Sequence, residues 1–290
     1  MKVLHIAPDV CAGVPARMAQ TLSYINVFAE VCTYDRQVDI GFDMGMLPVT
    51  AREMADDYDV LHFHNLSFYN MVKGQWPKGK KVVVTIHGLP DDQLKPGVPE
   101  GVTLHVVHAH LLTLFPTAHY LPNWILDPPF PPTFPVNTPP VLLFPIWSAT
   151  RDPGSMTLIT RAMGDDVNCI TRNLPVARSN AEQLEDMRNV EFVYDQLRGD
   201  LGITALEAMA SGAIPIVYLD PVNLKAIEEF YGIPWPLSFT DNIGETIALI
   251  KHLIRDKEKL MMVRHLCRNW WKSTHDPLRR GHQLLEMYEA

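Results

Sequence analysis

No Cys-x-x-Cys pair occurs anywhere in the 290 residues. The four cysteines, Cys11, Cys32, Cys169 and Cys267, are scattered. That argues against a zinc knuckle or a disulfide scaffold and for reduced thiols in a cytoplasmic protein. No apolar run approaches the roughly 20 residues that a membrane span requires. The opening stretch "MKVLHIAPDV" is too short for a signal peptide and has no cleavage site. Basic charge is also in deficit: 25 Lys and Arg stand against 33 Asp and Glu, a formal net charge of −8. General polyanion binding needs clustered cations, so it is excluded, although a local basic pocket is not. His-Glu-x-x-His is missing, and so is any short repeat of solenoid type.

What is present is an alternation. "KVLHIA" (2–7) reads as a buried strand, and "AGVPARMAQTLSYINVFA" follows at helical spacing with Val14, Met18, Leu22 and Ile25 on one face. "VCTYD", "DVLHFHN" (59–65), "KVVVTIHG" (81–88), "VTLHVVHA" (102–109) and "HYLPN" (119–123) repeat the apolar-run pattern. Continuous apolar strands separated by helical stretches predict a parallel sheet covered on both faces. Ligands of such sheets bind beyond the carboxyl ends of the strands. His64, Asn65, His87 and Asn123 fall at such ends.

Half of the residues in "DPPFPPTFPVNTPP" (127–140) are proline. Proline cannot donate to a ladder and favours a stiff extended chain, so this run predicts a linker. A second alternation follows it: strand "VLLFPI", helix "GSMTLITRAM", strand "NCITR", strand "VEFVYD", a helix over 202–211 and strand "IPIVYL". From 242 the chain reads as amphipathic helix, closing with "PLRRGHQLLEMYEA". The expected architecture is α/β with two Rossmann-like domains and a cleft between them: 1–126, then the linker 127–140, then 141–270, with a helix over 271–290 returning to the first domain.

Glu207 stands inside an apolar, small-residue helix, where an unpaired carboxylate is costly. Gly202 precedes that helix, and its free N–H groups suit a phosphate. A carboxylate one and a half turns further on suits sugar hydroxyls. A nucleotide diphosphate sugar uses all of these features together.

"GITALEAMASGAIPIV" resembles the donor-binding segment of the GT-B glycosyltransferases, specifically the retaining family four. "APDVCAGVPARMAQTL", "YDVLHFHN", "VVVTIHGLP", "YLPNWI", "RDPGSMTLITRAM" and "STHDPLRRGHQLLEMY" are similar to other family segments in the same order. The resemblance implies a retaining, metal-independent transferase without a cofactor, using a UDP- or GDP-sugar. By this resemblance Gly13 offers its backbone to the cleft, His87 and Asp200 are catalytic, and Gly202, Ile203, Thr204 and Glu207 bind donor. His64, Asn65 and Asn123 are assigned to the acceptor side.

Two departures stand out. The family's first Glu, separated from the second by seven intervening residues, falls on Gly199, with Asp200 beside it. Its Arg and Lys fall near Ser148 and Pro153, which leaves Arg151 and Arg172 to meet the diphosphate. "YDQLRGDLG" is similar to a divergent branch with an Asp-Gln pair before the glycine turn. A phage-type transferase acting on modified DNA bases and a non-catalytic nucleotide-sugar-binding protein are the alternatives. A nucleic-acid acceptor is the less favoured, because of the net charge. His62 and His64 share one strand face, as metal ligands do, but no metal is expected.

Overall fold

The structure is a computed structural model. It describes residues 1–9, 11–35, 45–87, 99–126, 128, 130–145, 152–171 and 179–290. The chain divides into two compact units, Met1–Leu126 with His275–Ala290, and Asp127–Thr274.

The first unit holds a six-stranded sheet in the order β2-β1-β3-β4-β5-β6. Its strands are β1 (Lys2–Ala7), β2 (Phe28–Thr33), β3 (Val60–His64), β4 (Lys81–Ile86), β5 (Val102–Val106) and β6 (His119–Tyr120). Every pairing is parallel. β2 starts and ends earlier than "VCTYD" suggests. Helix α1 (Val14–Ser23) follows a left-handed Gly13 at φ 77° and carries proline in its first turn. It ends well before the helical reading does, at a turn containing Asn26 with φ 59°. The shorter α2 (Pro48–Glu53) and α3 (Leu66–Val72) complete the connections.

The two faces of this sheet differ, because strand side chains alternate. Leu4, Ile6, Leu61, Phe63, Val84, Ile86, Leu104 and Val106 face an apolar cluster with Phe68, Tyr69 and Trp76. The opposite face mixes buried Val3, Val60 and Val83 with polar residues. His5 is in register with His62, His64 with Thr85, Thr85 with His105, and His105 with His119.

The second unit holds a four-stranded parallel sheet in the order β10-β9-β7-β8. These strands are β7 (Val141–Phe144), β8 (Asn168–Thr171), β9 (Phe192–Gly199) and β10 (Ile214–Leu219). Its helices are α4 (Pro153–Met163), α5 (Asn180–Arg188), α6 (Ile203–Ser211), α7 (Pro221–Tyr231), α8 (Ile243–Arg255) and α9 (Lys257–Thr274). The amphipathic tail is broken between α8 and α9 at Asp256, whose carboxylate accepts from Lys259 N at 2.9 Å and so starts a new helix. The last helix, α10 (Pro277–Glu289), belongs to the first unit, where it packs on α1 and Tyr288 bonds His62.

The described part of the proline-rich run is fastened to the second unit. Buried Glu191 accepts from Asn137 N at 2.6 Å and Val141 N at 2.7 Å. Buried Arg264 donates to the carbonyls of Gly212, Val190, Thr133 and Pro135. A guanidinium fork satisfies acceptors that proline neighbours cannot reach by ladder bonding.

Candidate functional site

At the carboxyl end of β9 the backbone turns through Gly199 at φ 92°. A Cβ there would lie 2.9 Å from Asp220 Oδ2, at the end of the neighbouring β10. The position therefore admits neither the backbone strain nor the volume of a glutamate. Asn223 Nδ2 ties the turn together, donating to Gly199 O, Asp200 Oδ1 and Asp220 Oδ2 at 3.0–3.1 Å. Asp200 is half-buried, and its carbonyl accepts from Gln196.

Gly202 serves a different purpose from the one its sequence suggests. Its φ is an ordinary −82°. Its N–H donates to Asp195 Oδ2 at 3.0 Å, and a Cβ would meet that carboxylate at 2.5 Å. A carboxylate from the chain itself thus caps the turn into α6. Ile203 and Thr204, half-buried, form the first turn of the helix.

Glu207 is 2% exposed. Asn180 Nδ2 and Gln183 Nε2, both on α5, donate to its two oxygens at 2.7 Å each. The carboxylate in the apolar helix is therefore paired with side-chain amides. The capping box of α5, Ser179 with Glu182, holds those amides in place. At the start of α4, Asp152 accepts from Tyr194 Oη at 2.6 Å and from Ser155 N. Burial pushes its pKa up, but these bonds and the charge of Arg198 outweigh it and leave it lowered. Arg198, near the end of β9, is a cation that sequence reasoning missed. Arg151 and Arg172 lie outside the described residues.

At the carboxyl ends of the first sheet, His87 is half-buried. Its Nε2 bonds His64 Nδ1 at 2.8 Å, and His64 Nε2 bonds His5 Nδ1 at 3.1 Å. Burial lowers the His87 pKa to about 4; the nearby His108 adds to this and a hydrogen bond with Asn123 opposes it. Burial also lowers His5 to about 3 and His64 well below its usual value. His64 is fully buried. Asn65 is exposed and caps α3, accepting from Ser67 N and Phe68 N. Asn123 is buried beside His87. Gly13 is buried in the turn before α1.

Among the described residues, His5, His62 and His64 are the group whose ligand atoms approach one another within 4.8 Å. Five of their six ring nitrogens already bond one another, Thr85, Tyr288 or His87. No described helix is long and apolar enough to cross a membrane.

No protein-family model matches the chain, and no curated protein matches it by sequence. Solved structures do. Anabaena Alr3699/HepE, in complex with UDP and glucose, superposes with a TM-score of 0.70 at 12% identity, over 100% of both chains. An alpha-glucosyltransferase in complex with UDP and a 13-mer DNA containing a HMU base gives 0.66 at 13% identity, again over 100% of both. The T4 phage beta-glucosyltransferase gives 0.58 at 12%, with the same coverage. The chain has the GT-B fold. A GT-B chain carries two sheets of parallel strands, as here, and the residues gathered above lie at the carboxyl ends of both. At these identities the likeness concerns the fold; the residues must argue for chemistry by themselves.

Proposed function

We propose that the protein is a retaining glycosyltransferase that moves a sugar from a UDP- or GDP-sugar to an acceptor, without a metal. The carrying observation is Glu207. It is a buried carboxylate held by two amides, one and a half turns inside a helix whose half-buried N-terminus sits at the carboxyl end of a parallel strand. That arrangement suits a ribose at the carboxylate and a diphosphate at the N–H groups of Ile203 and Thr204. The full-length likeness to structures that hold UDP supports it.

In this reading the unit Asp127–Thr274 binds donor and the unit Met1–Leu126 binds acceptor through His87, Asn123, Asn65 and the turn at Gly13. Arg151, Arg172 and Arg198 supply the positive charge that meets the leaving diphosphate, aided by the dipole of α6. Arginine suits phosphate because its fork is bidentate. Leaving-group departure is then stabilised electrostatically, and the acceptor attacks from the same face. Asp200 stands beside the reacting centre. The GT-B relatives include both an alpha- and a beta-glucosyltransferase. Stereochemistry therefore comes from the site, and the resemblance to the retaining family favours retention.

A second reading takes DNA as the acceptor, favoured by the likeness to one enzyme bound to HMU-containing DNA and to a DNA-modifying beta-glucosyltransferase. The net charge of −8 weighs against it. Calorimetry of the full chain with UDP, GDP and their sugars tests the donor. Micromolar binding of one nucleotide, weakened tenfold or more in Glu207→Ala, is expected, since a charged hydrogen bond is worth about 1.5–3 kcal/mol. Unchanged binding in the variant would reduce Glu207 to a structural residue. Product NMR then reads retention or inversion.

A further inference from the structure

In the second unit the two oxygens of Glu207 each have their own donor. Asn180 Nδ2 donates to Oε1 and Gln183 Nε2 to Oε2, both at 2.7 Å. Glu207 is buried, and the two amide residues are half-buried. We infer that Asn180 and Gln183 are positioning residues: they lock the plane of the Glu207 carboxylate, and the locked carboxylate makes the donor site prefer ribonucleotides to 2′-deoxyribonucleotides. The inference rests on the reading above for the site being a nucleotide site.

The last torsion of a glutamate is broad, so a carboxylate held at one oxygen swivels about that bond. Donors on both oxygens, carried by one rigid element, remove the swivel, because any rotation breaks two bonds. Helix α5 is such an element. Asn180 and Gln183 are three residues apart, so they share one side of its first turn. Ser179 Oγ accepts from Glu182 N at 3.3 Å, and Glu182 Oε2 accepts from Ser179 N at 2.9 Å, which fixes that turn. Further along, Leu184 and Met187 are buried, and Met187 belongs to one core cluster with Val193 of β9 and Ala208, the residue after Glu207. The amides and the carboxylate are thus anchored to the same core. The amide orientation is fixed as well. A carboxylate has no proton to give, so each amide turns its NH2 group toward Glu207.

A carboxylate accepts through about four sites, two on each oxygen, and two amide bonds do not exhaust them. The neighbouring hydroxyls of a ribose are a pair of donors at a fixed spacing. A carboxylate of fixed plane meets such a pair without first being ordered, so the ordering cost falls on folding and not on binding. A site built around a hydroxyl then rejects the analogue that lacks it, because a buried acceptor is left without its donor. That rejection depends on the carboxylate being held. Once free to swivel, it turns to the remaining hydroxyl, and the penalty for the missing one shrinks.

Calorimetry of the full chain with UDP, GDP and their 2′-deoxy forms tests this, with folding checked by thermal melts. The wild type is expected to bind the ribo form of one base about tenfold or more tighter than its deoxy form. Gln183→Met and Asn180→Leu nearly keep side-chain size and remove the donor. Each should reduce the ratio to about threefold or less, chiefly by weakening the ribo form. A merely structural role would weaken both forms alike; an unchanged ratio in the variants therefore overturns the inference. Equal binding of both forms by the wild type would also overturn it and leave the nucleotide reading standing. No binding of any of the four by the wild type would overturn that reading, and the inference with it. If neither variant folds, the exchange Gln183→Glu with Glu207→Gln decides. It keeps the hydrogen bond with donor and acceptor reversed, so it should fold and bind with a similarly reduced ratio, and an undiminished ratio would overturn the inference.

Discussion

The six-stranded sheet of the first unit buries its polar groups on the strands. His5, His62, His64, Thr85 and His105 all sit inside it. The four-stranded sheet of the second unit contains no histidine; its buried polar groups lie in the middle of β9, as Asp195 and Gln196, and off the sheet, as Glu191, Glu207 and Arg264. Polar groups are tolerated in the first core because they bond one another while neutral. In the second they serve as fasteners of turns, helices and the proline-rich run. One unit is thus sensitive to protons and the other to the loss of single charged side chains.

Acid should separate the two most strongly. His5, His64, His62, His87 and His105 all titrate below the ordinary 6.5, chiefly because burial disfavours the charge. The unfolded chain therefore takes up protons first. The stability these groups contribute is present above about pH 6.5 and is lost as pH falls toward the folded values, about 3 for His5 and His105 and about 4 for His87. Hydrogen exchange with mass spectrometry at pH 7.5 and 5.5, corrected for intrinsic rates, should show β1 and β3–β5 losing protection while β9 and β10 keep theirs. Loss of protection in both sheets together would break the comparison.

Arg264→Met probes the opposite weakness. It leaves four carbonyls without their shared donor, so a loss of about 3 kcal/mol or more is expected in urea unfolding. Protease should then cut within 130–140, a segment it spares in the wild type. A stability unchanged within error would show that the run is held by its prolines alone. A smaller effect, about 1–3 kcal/mol, is expected for Gly199→Ala, which combines φ 92° with a close approach to Asp220. A fully stable Gly199→Glu would undo the explanation given for the missing carboxylate.

Much of this was legible before any coordinates. The parallel strands came from continuous apolar runs, and Glu207 from the cost of a lone carboxylate among alanines. Helix α5 was not read, because only Leu184 and Met187 are buried and the rest is polar. Its signal was the capping box in "SNAE", and with it came Asn180 and Gln183, the partners of Glu207. Asp195 is visible as half of the Asp-Gln pair, but its bond to Gly202 depends on a turn that brings residues 195 and 202 together. His5 was hidden for a different reason. Its neighbours are set by strand order, with β3 beside β1, and no local pattern reports that.

The most direct test of the central claim is donor turnover. The full-length protein is incubated with UDP-glucose and a panel of other UDP- and GDP-sugars, and release of the nucleoside diphosphate is followed, since transferases slowly pass donor sugar to water. The account predicts release above the protein-free rate for at least one donor, lost in Glu207→Ala at a temperature where the variant is still folded. Absence of both binding and release across the panel, or full release by the variant, would contradict it.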